Sequence, residues 1–119
     1  MNEILLTAHA YAVIKKLHAQ YKKRIRKGLS KTDAADFGDS RMIHSELFPN
    51  SSFEDIDAAC TELLQAKLLD GFRADGYVYR AILSDTGIAF TESAASRNAS
   101  TLFGRVLELL QAIRSLLPW

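Results

Sequence analysis

The chain has 119 residues, 48% hydrophobic, 24% charged and 9% aromatic, which is enough apolar material for one buried core. Fifteen Lys and Arg against fourteen Asp and Glu leave a net charge of +1, so any attraction to nucleic acid must come from where the charges lie, not from their sum. One cysteine and two prolines exclude a disulfide framework, a thiolate zinc cluster and a proline-rich linker.

No run of about 18 uncharged apolar residues occurs, as a membrane-spanning helix would need. Met1 to Leu6 carries Glu3 and no basic leader segment. The expectation is a cytoplasmic, non-membrane protein forming a single domain over 1–119, with a core from about 4 to 92.

From Ile4 to about Lys27, apolar residues at Leu6, Ala10, Val13, Ile14, Leu17, Tyr21 and Ile25 recur in steps of three and four, which predicts a long first helix. Gly28 is its expected stop, preceded by cations that suit the negative end of the helix dipole. Ser30 to Ser40 is polar and turn-forming, a loop with room for a short helical turn. Ile43 and Leu47 then suggest a short second helix over Arg41 to Phe48, capped by Asp39 or Ser40 and ended near Pro49.

The third predicted helix starts at Ser52, with Asp55 three residues on in the manner of a capping box. Ile56, Ala59, Cys60, Leu63, Leu64 and Leu68 form its expected buried face, leaving Asp57, Ala58, Thr61, Glu62 and Gln65 outward. After Leu69 the period falls to two. Gly71-Phe72-Arg73, then Ala74-Asp75-Gly76, then Tyr77 to Leu83 predict two antiparallel strands joined at Asp-Gly. Ser84 or Asp85 is placed to cap a further short helix through Phe90, and Thr101 to Leu117 predicts a C-terminal helix apolar on more than one side.

Across Ser40 to Glu92, the capped helix ending in Leu68-Leu69-Asp70-Gly71, the hairpin, and Leu83-Ser84-Asp85-Thr86-Gly87-Ile88-Ala89-Phe90 resemble the winged helix-turn-helix superfamily. The last piece looks like the L-T-x-x-G segment with which many such regulators leave the wing. With its long first helix and C-terminal helix, the whole chain is also similar to the small bacterial and phage-associated YjcQ-type winged-helix proteins. The fold class expected is therefore mainly α: a winged helix-turn-helix with a small antiparallel β-hairpin wing and an extra C-terminal helix. The resemblance implies binding to double-stranded DNA, with the third helix in the major groove and the wing against phosphates.

The charges complicate that expectation. Residues 51–100 hold four basic and eight acidic side chains, so the half expected to face DNA is the acidic one. The basic run is elsewhere: Lys15, Lys16, Lys22, Lys23, Arg24, Arg26, Lys27 and Lys31, with no acidic residue from Ile4 to Thr32. It is either a polyanion footprint or a solvated helix face with dipole-matched cations. Candidate nucleic-acid contacts are Lys22, Lys23, Arg24, Arg26, Lys27, Lys31, Thr61, Gln65, Arg73 and Arg80. Lys67, at the end of the third helix, stands beside them.

His9, His18 and His44 lack metal-ligand spacing, and Cys60 falls on an apolar face. No phosphate loop or nucleophile motif occurs, so neither an enzyme, a cofactor nor a metal is expected. Leu102, Phe103, Val106, Leu109, Leu110, Ile113, Leu117 and Trp119 are the candidate interface of a homodimer. The competing reading is a protein-interaction module of the same fold, in which the acidic face of the third helix meets a partner and no DNA is touched.

Overall fold

The structure, a computed structural model, describes residues 6–93. The chain falls into two units, Met1–Ile88 and Ala89–Trp119. The described part is mainly helical with one small antiparallel sheet, in the order α1 (Ala8–Arg26), α2 (Lys31–Ala35), α3 (Ser40–Leu47), α4 (Phe53–Gln65), β1 (Leu69–Ala74) and β2 (Tyr77–Leu83). Residues 85–93 are again helical. The predicted C-terminal helix and the eight candidate dimer residues lie outside the described residues.

Helix α1 starts later than the periodicity suggests, because Thr7 caps it by accepting from the Ala10 N–H at 3.2 Å. Its buried side is Ala10, Val13, Ile14, Leu17 and His18, while Ile25, expected on that side, is 39% exposed. The helix stops where Gly28 takes φ +98°, with Leu29 donating back to the Arg24 carbonyl. The turn anticipated in the polar segment is α2, capped by Ser30.

Of the two possible caps for α3, Asp39 fills the role, accepting from Met42 N–H at 2.9 Å. Ser40 is fully buried and turns its hydroxyl elsewhere. Helix α4 is capped by Ser52 as its sequence implies. It ends with Lys67 in the left-handed region (φ +65°), where Lys67 N–H bonds Leu64 and Leu68 N–H bonds Leu63.

The hairpin closes on Asp75 and Gly76, both at positive φ, with Ala74 opposite Tyr77. Its register breaks between Phe72 and Arg73: Phe72 faces Arg80 and Arg73 faces Val78, leaving Tyr79 as the extra residue of a bulge. That extra residue resets the alternation. Val78, Ala81 and Leu83 are buried, so Arg80, which strict alternation would put on the same face as Val78, points outward instead. At Gly71 the strands approach so closely that a Cβ would lie 1.9 Å from the Arg80 carbonyl oxygen.

Residues 36–38 add a short third pairing to the free side of β2: Phe37 N–H donates to the Ala81 carbonyl at 2.9 Å and Ala81 N–H to the Gly38 carbonyl at 2.7 Å. After β2, the Ser84 hydroxyl donates to the carbonyls of Lys67 and Leu68 and accepts from Gly87 N–H. A Cβ on Gly87 would stand 2.2 Å from the Leu68 oxygen. The Ser-x-x-Gly segment is thus a clasp on the end of α4. The core is filled by Val13, Ile14 and Leu17 of α1, Ile43 of α3, Ile56, Cys60 and Leu63 of α4, and Leu68, Leu69 and Val78 at the sheet.

Candidate nucleic-acid interface

Helix α1 is amphipathic in an unusual way, with its outer side basic or small throughout. At 100° per residue, Lys15, Lys16, Lys22, Lys23, Arg26 and Lys27 fall within an arc of about 140°, opposite the arc holding Val13, Leu17 and Ala10. All six are exposed, and among the described residues none is in an ion pair. The Lys15 ammonium lies 5.6 Å from the Tyr11 ring centre and that of Lys16 5.7 Å from the Phe48 ring centre, cation–π contacts that steady both side chains at the surface. From Lys15 to Lys27 the stripe runs about 18 Å.

The other expected cations have structural work. Arg24 turns back to donate to the carbonyls of Ala34 and Asp36, at 3.3 and 3.0 Å, and stacks 4.4 Å from the Phe37 ring centre. It ties the end of α1 to the segment beside the sheet. Lys31 donates to Asp85 Oδ1 at 2.9 Å, and that hydrogen bond is the main cause of its raised pKa.

The two hairpin arginines separate onto opposite faces of the sheet. Arg73 faces α4, donating to Asp57 Oδ2 at 2.8 Å, Thr61 Oγ1 at 2.6 Å and the Gly76 carbonyl at 2.8 Å. Arg80 faces outward and donates to Asp36 Oδ2 at 2.9 Å. Neither is the uncommitted phosphate contact that its place in the sequence suggests.

Asp57 is the main correction to the reading of α4. Expected outward, it is 9% exposed and accepts from Ser40 Oγ at 2.7 Å, Val78 N–H at 2.8 Å and Arg73. Burial pushes its carboxyl pKa upward, but the bonds from Arg73, Val78 and Ser40 outweigh that and hold it below the usual carboxylate value. The bulged hairpin makes this possible, because it aims Arg73 and the Val78 amide at one point on α4.

Glu62 is not a free outward carboxylate either: it accepts from the Thr7 N–H and hydroxyl, both at 2.8 Å, at the start of α1. Thr61 is half-buried, donating to the Asp57 carbonyl and accepting from Arg73, and Leu64, expected in the core, is half-buried too. The side chains left exposed along α4 are Glu54, Asp55, Ala58 and Gln65. Lys67 is exposed just beyond the helix.

The structure therefore brings together Lys22, Lys23, Arg26 and Lys27 with Lys15 and Lys16, but not with Thr61, Gln65 and Arg73. Each of α1 and α4 turns its apolar arc to the shared core, so the cations of α1 and the exposed residues of α4 lie on different sides of this unit.

A feature the sequence did not announce lies on the outer face of the hairpin. Phe72 (52% exposed) and Tyr79 (46%) stand 5.7 Å apart between ring centres, and Tyr77 adds a third ring 5.8 Å from Tyr79. The Arg41 guanidinium stacks 4.5 Å from the Tyr77 ring centre.

The histidines have local explanations. His18 is buried with its ring stacked near Tyr21, and the His44 Nε2 lies 2.7 Å from the Ser51 carbonyl oxygen, to which it donates. Among the described residues, no group of three His, Cys, Asp or Glu could hold a metal ion, and no helix is long and apolar enough to cross a membrane. No family model, curated protein or solved structure significantly matches the chain.

Proposed function

We propose that this protein is a nucleic-acid-binding domain of winged helix-turn-helix type that grips the phosphate backbone through the outer face of α1. The observation that carries the reading is the arc of six exposed cations on α1, uninterrupted by any carboxylate. The order α3, α4, hairpin, with residues 36–38 pairing beside β2, supports the fold assignment. Backbone contact rather than base readout is favoured because α4 exposes Glu54 and Asp55 and carries no cation, a surface that repels phosphate.

Neutralising about six phosphates makes the affinity for random-sequence duplex DNA fall with salt at a log–log slope of about −5. Lys23→Glu with Arg26→Glu, both exposed, weakens binding at least tenfold and flattens that slope. Unchanged affinity and slope in the double variant would refute the α1 footprint.

A second reading, an interaction module for a protein partner, is favoured by the exposed carboxylates Glu54 and Asp55 at the start of α4. Its test is the pair Glu54→Lys and Asp55→Lys. Glu62 is unsuited to it, since Glu62 holds the Thr7 cap.

A further inference from the structure

The hairpin has one edge covered and one open. Residues 36–38 pair along β2, whereas among the described residues none pairs along the outer side of β1. Asp70 to Arg73 are exposed in succession, so the edge of the strand is bare and not merely one of its faces.

The hydrogen bonds of β2 show which β1 groups point off that edge. Ala81 directs its N–H and carbonyl to residues 36–38, and the Val78 N–H goes to Asp57, so both residues turn these groups away from β1. Their partners Gly71 and Arg73 are therefore in non-hydrogen-bonded pairs, with N–H and carbonyl directed away from β2. Two donors and two acceptors stand on the edge at the spacing of a further strand.

The edge meets a groove at Arg73. The Arg73 side chain crosses to Asp57 and Thr61, and with Gly76 it makes the hairpin wall of a groove of about 700 Å³. Glu54, Ala58, Glu62 and Gln65 of α4 line the other wall.

Charge selects the occupant. Among the described residues, Glu54 and Glu62 in the groove and Asp70 and Asp75 on the hairpin are in no ion pair, while the cation between them, Arg73, is paired with Asp57. A second copy would bring the same Asp70 and Asp75 to the edge, and like charges facing each other across a strand pair are destabilising. A strand bearing cations meets the opposite sign at both places. Added antiparallel to β1, its residues opposite Gly71 and Arg73 exchange main-chain bonds with them and turn their side chains to the α4 side, toward the carboxylates of the groove. Gly71 has no side chain to crowd the first of these. The alternate residues fall on the outer face beside Phe72, which is 52% exposed and gains cover there.

We infer that the open edge of β1, where it meets the acidic groove beside α4, takes up an extended segment of a partner protein as an added antiparallel strand, with Lys or Arg at every second position. This site is independent of the α1 footprint, and it gives the acidic side of α4 a partner of stated chemistry.

The test uses the full chain and fluorescein-labelled eight-residue peptides followed by anisotropy: alternating Lys-Val, alternating Glu-Val, and two Lys-Val peptides N-methylated either at every Lys or at every Val. Lys-Val binds about tenfold or more tighter than Glu-Val. Methylating the Lys amides, which face β1, removes binding, whereas methylating the Val amides, which face solvent, leaves it in place. Glu54→Lys with Asp70→Lys, both exposed, weakens Lys-Val binding about tenfold, with circular dichroism confirming that the variant folds. If that variant does not fold, the methylated pair decides on wild-type protein. Equal binding of the two methylated peptides overturns the added strand and leaves the acidic face of α4 as a surface for cations in general. Equal binding of Lys-Val and Glu-Val overturns the basic occupant. Sedimentation of the chain alone covers the remaining case: if the wild type is an oligomer that Asp70→Lys turns into a monomer, the edge belongs to a second copy and the inference is wrong.

Discussion

Replacing Asp57 by Ala removes the acceptor for Ser40 Oγ, Val78 N–H and Arg73 in one step, while leaving every other contact of α4 in place. The two neutral donors contribute about 0.5–1.5 kcal/mol each and the guanidinium bond about 1.5–3 kcal/mol. The Arg73 share belongs at the low end, because that side chain is 39% exposed and solvent screens it. Leaving the Val78 amide and Ser40 hydroxyl buried without partners adds to the loss. The expected cost is about 3–4 kcal/mol, a large part of the 5–15 kcal/mol that holds a domain of this size together. Urea unfolding followed by circular dichroism at 222 nm measures it.

Asp57→Asn supplies the pH arm of the same test. The folded state holds the Asp57 carboxyl below its ordinary value of about 3.9, so its contribution is fully present above that value and is lost as pH falls through the lower, folded one. The stability gap between wild type and Asp57→Asn therefore shrinks as the pH drops below about 4. A cost under 1 kcal/mol for Asp57→Ala, or a gap independent of pH, would show that the carboxylate does not join the hairpin to α4. So would strict additivity of Asp57→Ala with Arg73→Ala.

Gly87→Ala should destabilise by more than 2 kcal/mol, because its Cβ would meet the Leu68 carbonyl at 2.2 Å, whereas Gly28→Ala, with open space around it, costs only the roughly 1 kcal/mol of a left-handed backbone. Thermal unfolding of both variants separates the two mechanisms. Lys67→Gly, at φ +65° beyond the end of α4, should raise stability by about 0.5–1 kcal/mol in the same assay. Burial, helped by the Asp57 charge, pushes the Cys60 thiol up to about 12. Its unfolded form ionises near 8.5, so stability contributed by the neutral thiol is complete below that pH and declines as pH rises toward 12. Labelling of Cys60 by a thiol reagent at pH 8 should therefore proceed only as fast as the domain opens, and rapid labelling of folded protein would contradict its burial.

Local rules made much of this chain legible. Ser52 and Asp55 mark the start of α4, Gly28 marks the end of α1, and Asp75-Gly76 marks the hairpin tip, because capping, positive φ and dipole preference act over a few residues and leave their signature in residue type. The cationic arc of α1 was equally plain, since helical spacing alone gathers Lys15 to Lys27 onto one side.

What the spacing could not show is which side chains find partners far along the chain. Asp57 sits at a helix position compatible with solvent, and only the approach of Ser40 from 17 residues earlier and Val78 from 21 later makes it a buried acceptor. Arg24, Arg73 and Arg80 read as free cations until tertiary contacts set them on Asp36 and Asp57. The bulge at Tyr79 is decided in the same way. Tyr77 to Leu83 alternates equally well in either phase, and it is the packing of Val78, Ala81 and Leu83 on the core, with residues 36–38 along the other edge, that selects the phase placing Phe72 and Tyr79 together outside. Charge, caps and turns are written locally, whereas pairing and strand phase depend on which distant groups the folded chain sets within reach.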